Sequence, residues 1–161
     1  GNIDTRLKKI ETEGLDGVIL AAAGIKRMGL AEKITQFLPV ETMLPAVGQG
    51  ALGLQIRKED VELAKTCSAL NDATTAAEVT AERAFLRGLG GGCRLPIAAL
   101  GKRKDRVLTL EGMVAAPNGS TMIREAIHGT IRDAEELGKK LAEIILAKGG
   151  LKLMDLIREN E

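Results

Sequence analysis

The segment Gly90-Gly91-Gly92-Cys93-Arg94-Leu95-Pro96 sets a thiol directly behind a run of glycines. Glycines let a bulky group approach the backbone, and a loop position leaves sulfur open to attack or attachment. Spacing alone leaves two readings open for Cys93: a nucleophile or covalent anchor, and a small thiol packed beneath a loop, which is the commoner fate of a lone cysteine. A helix ending just before Cys93 would present its negative pole and oppose thiolate formation, an effect that Arg83, Arg87 or Arg94 would offset if folded close.

Other chemistry is scarce. His128 is the one histidine, and no cysteine or carboxylate cluster with metal-ligand spacing surrounds it, so a structural or exposed role is expected and no metal site. Gly48-Gln49-Gly50 is too short for a phosphate-binding loop and lacks its lysine and hydroxyl residue. Glu82-Arg83 is expected to be a local ion-pairing element, with Arg83 a secondary candidate for facing the cysteine loop. Cys67 and Cys93 sit in different contexts, which argues against a structural disulfide and excludes a four-cysteine zinc site.

Elements that would position these groups follow from periodicity. Leu15 to Ala21 reads as a short buried strand after an Asp-Gly turn signal, and Ala23-Gly24 opens a helical stretch. Lys33 to Leu38 is compatible with a short helix that Pro39 stops, and Pro45 to Gly50 is a glycine-rich crossing into the apolar segment Ala51 to Ile56. Asp60 caps a helix carrying Val61, Ala64, Cys67 and Leu70, which turns Cys67 toward a core. Thr75 and Glu78 have capping-box spacing, and Ala77, Ala81, Ala84, Phe85 and Leu89 trace one face of the helix that ends at the glycines before Cys93.

Downstream, Pro96 to Lys102, Arg106 to Ala115 and Thr121 to His128 read as three strands of an antiparallel meander, the last two joined by Pro117-Asn118-Gly119-Ser120. A helix then begins at Asp133 and Glu136, carries Leu137, Leu141, Ile144 and Ile145 inward, and closes at Gly149-Gly150. Leu151 to Ile157 is the final helical segment.

Composition bounds the rest. With 45% hydrophobic and 28% charged residues over 161 positions, the chain has the makings of a globular core. Its 23 basic residues nearly cancel its 22 acidic ones, so no overall field draws it to nucleic acid or an anionic membrane. Phe37 and Phe85 are the only aromatics, which argues against base stacking. The longest apolar run, near Val18 to Gly24, is far short of the roughly 20 residues of a membrane span, and no signal-peptide pattern opens the chain. A soluble, cytoplasmic protein is expected. Because Gly1 is not an initiator methionine and the segment before Asn71 holds too few strands for a full sheet, missing strands are expected upstream.

Asn2 to Leu7, Leu20-Ala21-Ala22-Ala23-Gly24-Ile25-Lys26-Arg27, Leu44 to Ala51, Thr80-Ala81-Glu82-Arg83-Ala84-Phe85 and Gly91-Gly92-Cys93-Arg94-Leu95-Pro96-Ile97 occur in this order, followed by Gly112 to Ser120. Together they resemble successive motifs of the porphobilinogen deaminases, across essentially the whole chain. Arg94-Leu95 departs from the Gln-Val often found after the family cysteine.

The resemblance implies a cytoplasmic transferase of porphyrin and haem biosynthesis. Its members condense four porphobilinogen molecules into the linear tetrapyrrole hydroxymethylbilane, releasing ammonia. They build the product on a dipyrromethane cofactor joined to a cysteine by a thioether, and Cys93 matches that cysteine. Loss of ammonia leaves an electrophilic methylene-pyrrolenine, which sulfur or a pyrrole α-carbon captures. Each pyrrole carries acetate and propionate groups, which planar guanidinium groups meet through paired hydrogen bonds. Arg6 and Arg27 match family arginines that bind cofactor and substrate, Gln49 matches a crossing segment beside the cofactor, and Lys26 is expected to remain a surface cation.

The family's catalytic aspartate lies in an N-terminal domain whose motifs do not occur here. Asp4, Asp16 and Asp72 lack its surroundings, so no residue of this chain is assigned the catalytic role.

The expected fold class is α/β for partial first and second domains, plus an α+β C-terminal domain with a three-stranded antiparallel sheet and helices. Residues 1–44 would be the latter part of the second domain, 45–72 the crossing and returning part of the first, and 73–161 the cofactor-anchoring C-terminal domain. Expected partners are porphobilinogen, the growing pyrrole chain and the missing N-terminal portion of the same enzyme, with neither nucleic acid nor membrane. Two rivals remain: a non-catalytic fragment or binding module that keeps the fold without turnover, and a cysteine acyl transferase, which lacks a base other than His128.

Overall fold

Phe85 is fully buried, and its ring lies over Gly112, where an added Cβ would stand 2.7 Å from Cζ. This contact joins the two layers of the main structural unit. The computed structural model describes residues 2–91 and 96–153, and the chain divides into two units between Met43 and Leu44.

In the second unit the sheet consists of β1 (Ile97–Lys104), β2 (Val107–Ala115) and β3 (Met122–Thr130), ordered β1-β2-β3 and antiparallel throughout. The register pairs Gly101 with Leu110 and Leu110 with Ile127, which directs Leu108, Leu110 and Val114 to one face. Two helices cover that face: α4 (Ala73–Gly88) and α5 (Ala134–Ile145). Phe85 of α4 and Leu141 and Ile145 of α5 complete the core. Each such side chain stabilises the fold by about 1.5–3 kcal/mol when fully removed from water. This is the expected α+β arrangement, and the meander turn also forms, with Gly119 N–H donating to Ala116 O (2.9 Å) and Ser120 N–H to Asn118 Oδ1 (3.0 Å).

The start of α4 differs from expectation. Its cap is Asp72, whose Oδ1 accepts from Thr75 N–H at 2.7 Å, so Thr75 lies inside the first turn and is not the cap. That N–H and further donors hold the Asp72 carboxyl below its ordinary value. Glu78, freed from a capping box, accepts from Arg103 N–H in β1 at 2.8 Å.

Helix α3 (Val61–Ser68) is capped by Asp60, as its sequence implies, through Leu63 N–H at 3.0 Å. None of its residues is buried, and Cys67 is only half-buried, so the expected core-facing position is not found. The apolar stripe is real, but nothing among the described residues covers it. Ala51 to Ile56 forms no regular element, and Leu52 is 85% exposed. After α5, Leu146–Gly150 widens into a π-type turn with Gly149 at φ 104, and the helical backbone resumes at residues 151–153.

The first unit contains α1 (Ile3–Thr12), α2 (Ala22–Arg27) and a 3-10 turn at Ala31–Lys33. The strand expected over Leu15 to Ala21 does not form, and Ile19 is 63% exposed. A strand needs a ladder partner for its backbone groups, and among the described residues none lies beside this segment. Past Lys33, residues 34–38 are irregular where a short helix was expected. Lys26 Nζ sits 5.0 Å from the Phe37 ring centroid, a cation–π contact on the surface.

Candidate cofactor site and its supports

Helix α4 stops where the cysteine loop begins. Gly90 takes φ 84, its N–H donates to Arg87 O (2.9 Å), and Gly91 N–H reaches back to Leu86 O (3.0 Å). This double closure is a Schellman motif, which glycine supports because it accepts the left-handed backbone without a Cβ clash. The far side of the loop is also fixed, since Pro96 O accepts from Ala115 N–H at 3.1 Å and β1 starts at Ile97. Cys93, with Gly92, Arg94 and Leu95, lies outside the described residues.

β1 is an edge strand, and three of its N–H groups point away from β2. Ala99 N–H donates to Pro45 O (3.1 Å), Gly101 N–H to Glu82 Oε1 (2.8 Å) and Arg103 N–H to Glu78 Oε1. The edge is thus lined by the crossing segment and by two carboxylates one helical turn apart on α4. Glu82 Oε2 also accepts from Gly48 N–H at 2.6 Å.

Glu82 is 5% exposed, the one buried charged side chain among the described residues. Burial pushes its carboxyl above the ordinary glutamate value, and the N–H groups of Gly101 and Gly48 counter this in part. The expected Glu82–Arg83 ion pair is not formed. Adjacent helical positions diverge by about 100°, which turns Glu82 toward backbone donors and leaves Arg83 exposed. A cue to this role was available in the sequence: Glu78 and Glu82, four apart on one helix face, repel each other unless donors lie between them.

Gln49 is exposed in a turn in which its own N–H donates to Ala46 O (2.9 Å) and Ala51 N–H to Gly48 O (3.2 Å). Gly48 and Gly50 both have positive φ. Arg6 on α1 and Arg27 on α2 lie in the first unit, both exposed. Their helices meet where Gly24 admits Ile3: an added Cβ on Gly24 would stand 2.6 Å from Ile3 Cδ1. Each arginine sits three residues along its helix from that contact. Neither guanidinium has an ion pair or hydrogen bond among the described residues. Such donors fit a group bearing several carboxylates, as the dipyrromethane does.

His128 is exposed on β3 and its Nδ1 is 2.9 Å from Thr109 Oγ1. Among the described residues there is no group of three or more His, Cys, Asp or Glu side chains placed to hold a metal, and no helix long and apolar enough to cross a membrane.

Two family models match the chain: the dipyrromethane cofactor-binding domain of porphobilinogen deaminase at residues 1–65, and the C-terminal domain of the same enzyme at residues 76–147. The chain belongs to the porphobilinogen deaminase family. It is 53% identical over its whole length to a porphobilinogen deaminase of Syntrophus aciditrophicus, covering 53% of that protein. A porphobilinogen deaminase of Alkaliphilus metalliredigens is 48% identical over 98% of the chain and 50% of its own length. One from Geobacter sulfurreducens is 45% identical over the whole chain and 51% of its length. The chain therefore spans about half the length of the porphobilinogen deaminases it matches. Arg6, Arg27 and Gln49 fall within the match to the cofactor-binding domain, whereas Glu82 and Cys93 fall within the C-terminal match.

Proposed function

We propose that this chain works in the cytoplasm as part of a porphobilinogen deaminase that condenses four porphobilinogen molecules into hydroxymethylbilane with release of ammonia. Its partner in that work is the N-terminal portion of the same enzyme, which supplies the catalytic aspartate. Residues 1–44 serve as the latter part of a second domain, 45–72 as the crossing and returning part of a first, and 73–161 as the anchoring domain.

The observation that carries this reading is the pair of exposed guanidiniums, Arg6 and Arg27, on two touching helices inside the match to the cofactor-binding domain. Arg6 and Arg27 bind the carboxylates of cofactor and substrate, Gln49 hydrogen-bonds the cofactor from its turn, and Cys93 carries it as a thioether. When bound, the dipyrromethane supplies the pyrrole α-carbon from which the chain is extended. Holding carboxylates rigidly converts each addition into a step between positioned groups.

The test is to incubate the purified chain with porphobilinogen, measure ammonia and linear tetrapyrrole, and repeat with the N-terminal portion supplied separately. Activity only after complementation is the expected result. Sustained turnover by the chain alone would overturn the division of labour, and no turnover in either case would favour a binding module without catalysis.

A further inference from the structure

The turn Gly48-Gln49-Gly50 belongs by sequence to the match with the cofactor-binding domain, yet it is folded onto the C-terminal unit. Val47 packs against the core there, Pro45 O accepts from β1, and Gly48 N–H is taken by Glu82. Of these supports only Glu82 reaches the turn itself with a charged group. We infer that Glu82 is a positioning residue, whose carboxylate clasps the Gly48 and Gly101 amides and so sets the orientation of Gln49. This inference rests on the proposed role of Gln49 at the cofactor.

The chemistry is specific to a carboxylate. Each oxygen accepts one backbone N–H, Oε1 from β1 and Oε2 from the turn. A glutamine of the same shape offers one acceptor and one donor, so one of the two amides would face an N–H group and lose its bond. A buried carboxylate without a cation is costly, and a turn that needed only to be closed would not call for one. Glu78 supplies an internal comparison, because it caps the same strand edge at Arg103 and, among the described residues, makes no hydrogen bond to the turn.

Two measurements test the inference. In the 161-residue chain, amide exchange followed by NMR should accelerate at Gly48 and Gly101 by more than about tenfold in Glu82→Gln, whereas Glu78→Gln should accelerate Arg103 and leave Gly48 unchanged. An unchanged Gly48 rate in Glu82→Gln would overturn the clasp.

In the full-length enzyme, Glu82→Gln should lower kcat/KM for porphobilinogen by about tenfold or more, and Gln49→Ala added to it should lower it little further. Equal losses in Glu78→Gln and Glu82→Gln, or full additivity with Gln49→Ala, would overturn the positioning role. A wild-type enzyme that neither holds dipyrromethane nor consumes porphobilinogen would overturn the functional reading and the positioning role with it. The exchange rates would still decide the clasp on their own.

Discussion

Gly138 of α5 lies directly against the carbonyl oxygen of Ala81 in α4, so close that a Cβ at Gly138 would collide with it and would also stand 2.5 Å from Ala84 Cβ and 2.7 Å from Phe85 N. Two of these three obstacles are backbone, which cannot swing aside as the end of a side chain can. Gly138→Ala is therefore expected to separate the helices and cost about 1–3 kcal/mol or more, read as a lower urea midpoint. Gly17→Ala, where an added Cβ meets nothing within 4 Å, should leave the midpoint nearly unchanged. Equal midpoints in the two variants would refute the close helix contact.

Glu82 gives the stability a pH dependence of defined sign. Its folded carboxyl holds a proton more tightly than it would in the unfolded chain, chiefly because of burial, with Glu78 adding to the effect and Arg83 opposing it. Between the ordinary glutamate value and the raised folded one, the native state binds more protons, so this contribution to stability falls as pH rises through that window and is fully present below it. The difference in unfolding free energy between wild type and Glu82→Gln, measured from about pH 4 to pH 7, should slope in that direction. A flat difference would show that burial does not perturb this carboxyl.

In the full-length enzyme, Cys93→Ser is expected to abolish stable cofactor attachment while preserving the fold, since oxygen is the poorer nucleophile in a side chain of similar size. Cys67→Ser, at a half-buried position on α3, should leave attachment intact. Intact mass decides the matter: a normal covalent dipyrromethane on the Cys93 variant would end the assignment.

Arg6→Leu and Arg27→Leu, again in the full-length enzyme, should impair cofactor assembly or chain elongation, because each removes a directed donor to carboxylate. Lys26→Leu should do less, since its ammonium already lies over the Phe37 ring. Unchanged turnover and intermediate distributions in both arginine variants would remove them from the site.

Where the chain carries its own partners, its fold was legible in the sequence. The meander expected over Pro96 to His128 forms, and the stripe Ala77, Ala81, Ala84, Phe85 and Leu89 points to a face that the structure buries, Ala77 only in part. Legibility failed where the described residues supply no partner: among them Leu15 to Ala21 has a strand's composition without a ladder, and the apolar stripe of α3 is left uncovered. Asp72 and Thr75 both suit a helix start, and the cap went to the earlier residue because one more turn of helix could form. Of the site, the residue types at Arg6, Arg27 and Gln49 were readable from motifs. The role of Glu82 was not, because its two partners, Gly48 and Gly101, are distant in sequence and come together only when the crossing segment lies along β1.

The lined edge of β1 has a consequence for self-association. An exposed strand edge is a template on which another chain can add a strand, and such additions seed domain swapping and aggregation. At Ala99, Gly101 and Arg103 the outward donors are already engaged, and two of their acceptors are carboxylates, whose charge would also repel an incoming row of carbonyls. Both carboxylates ride on α4, so the helix and the crossing segment guard the edge from two separate parts of the chain. In the folded protein the strand is thus shielded from neighbouring chains at each of these three positions.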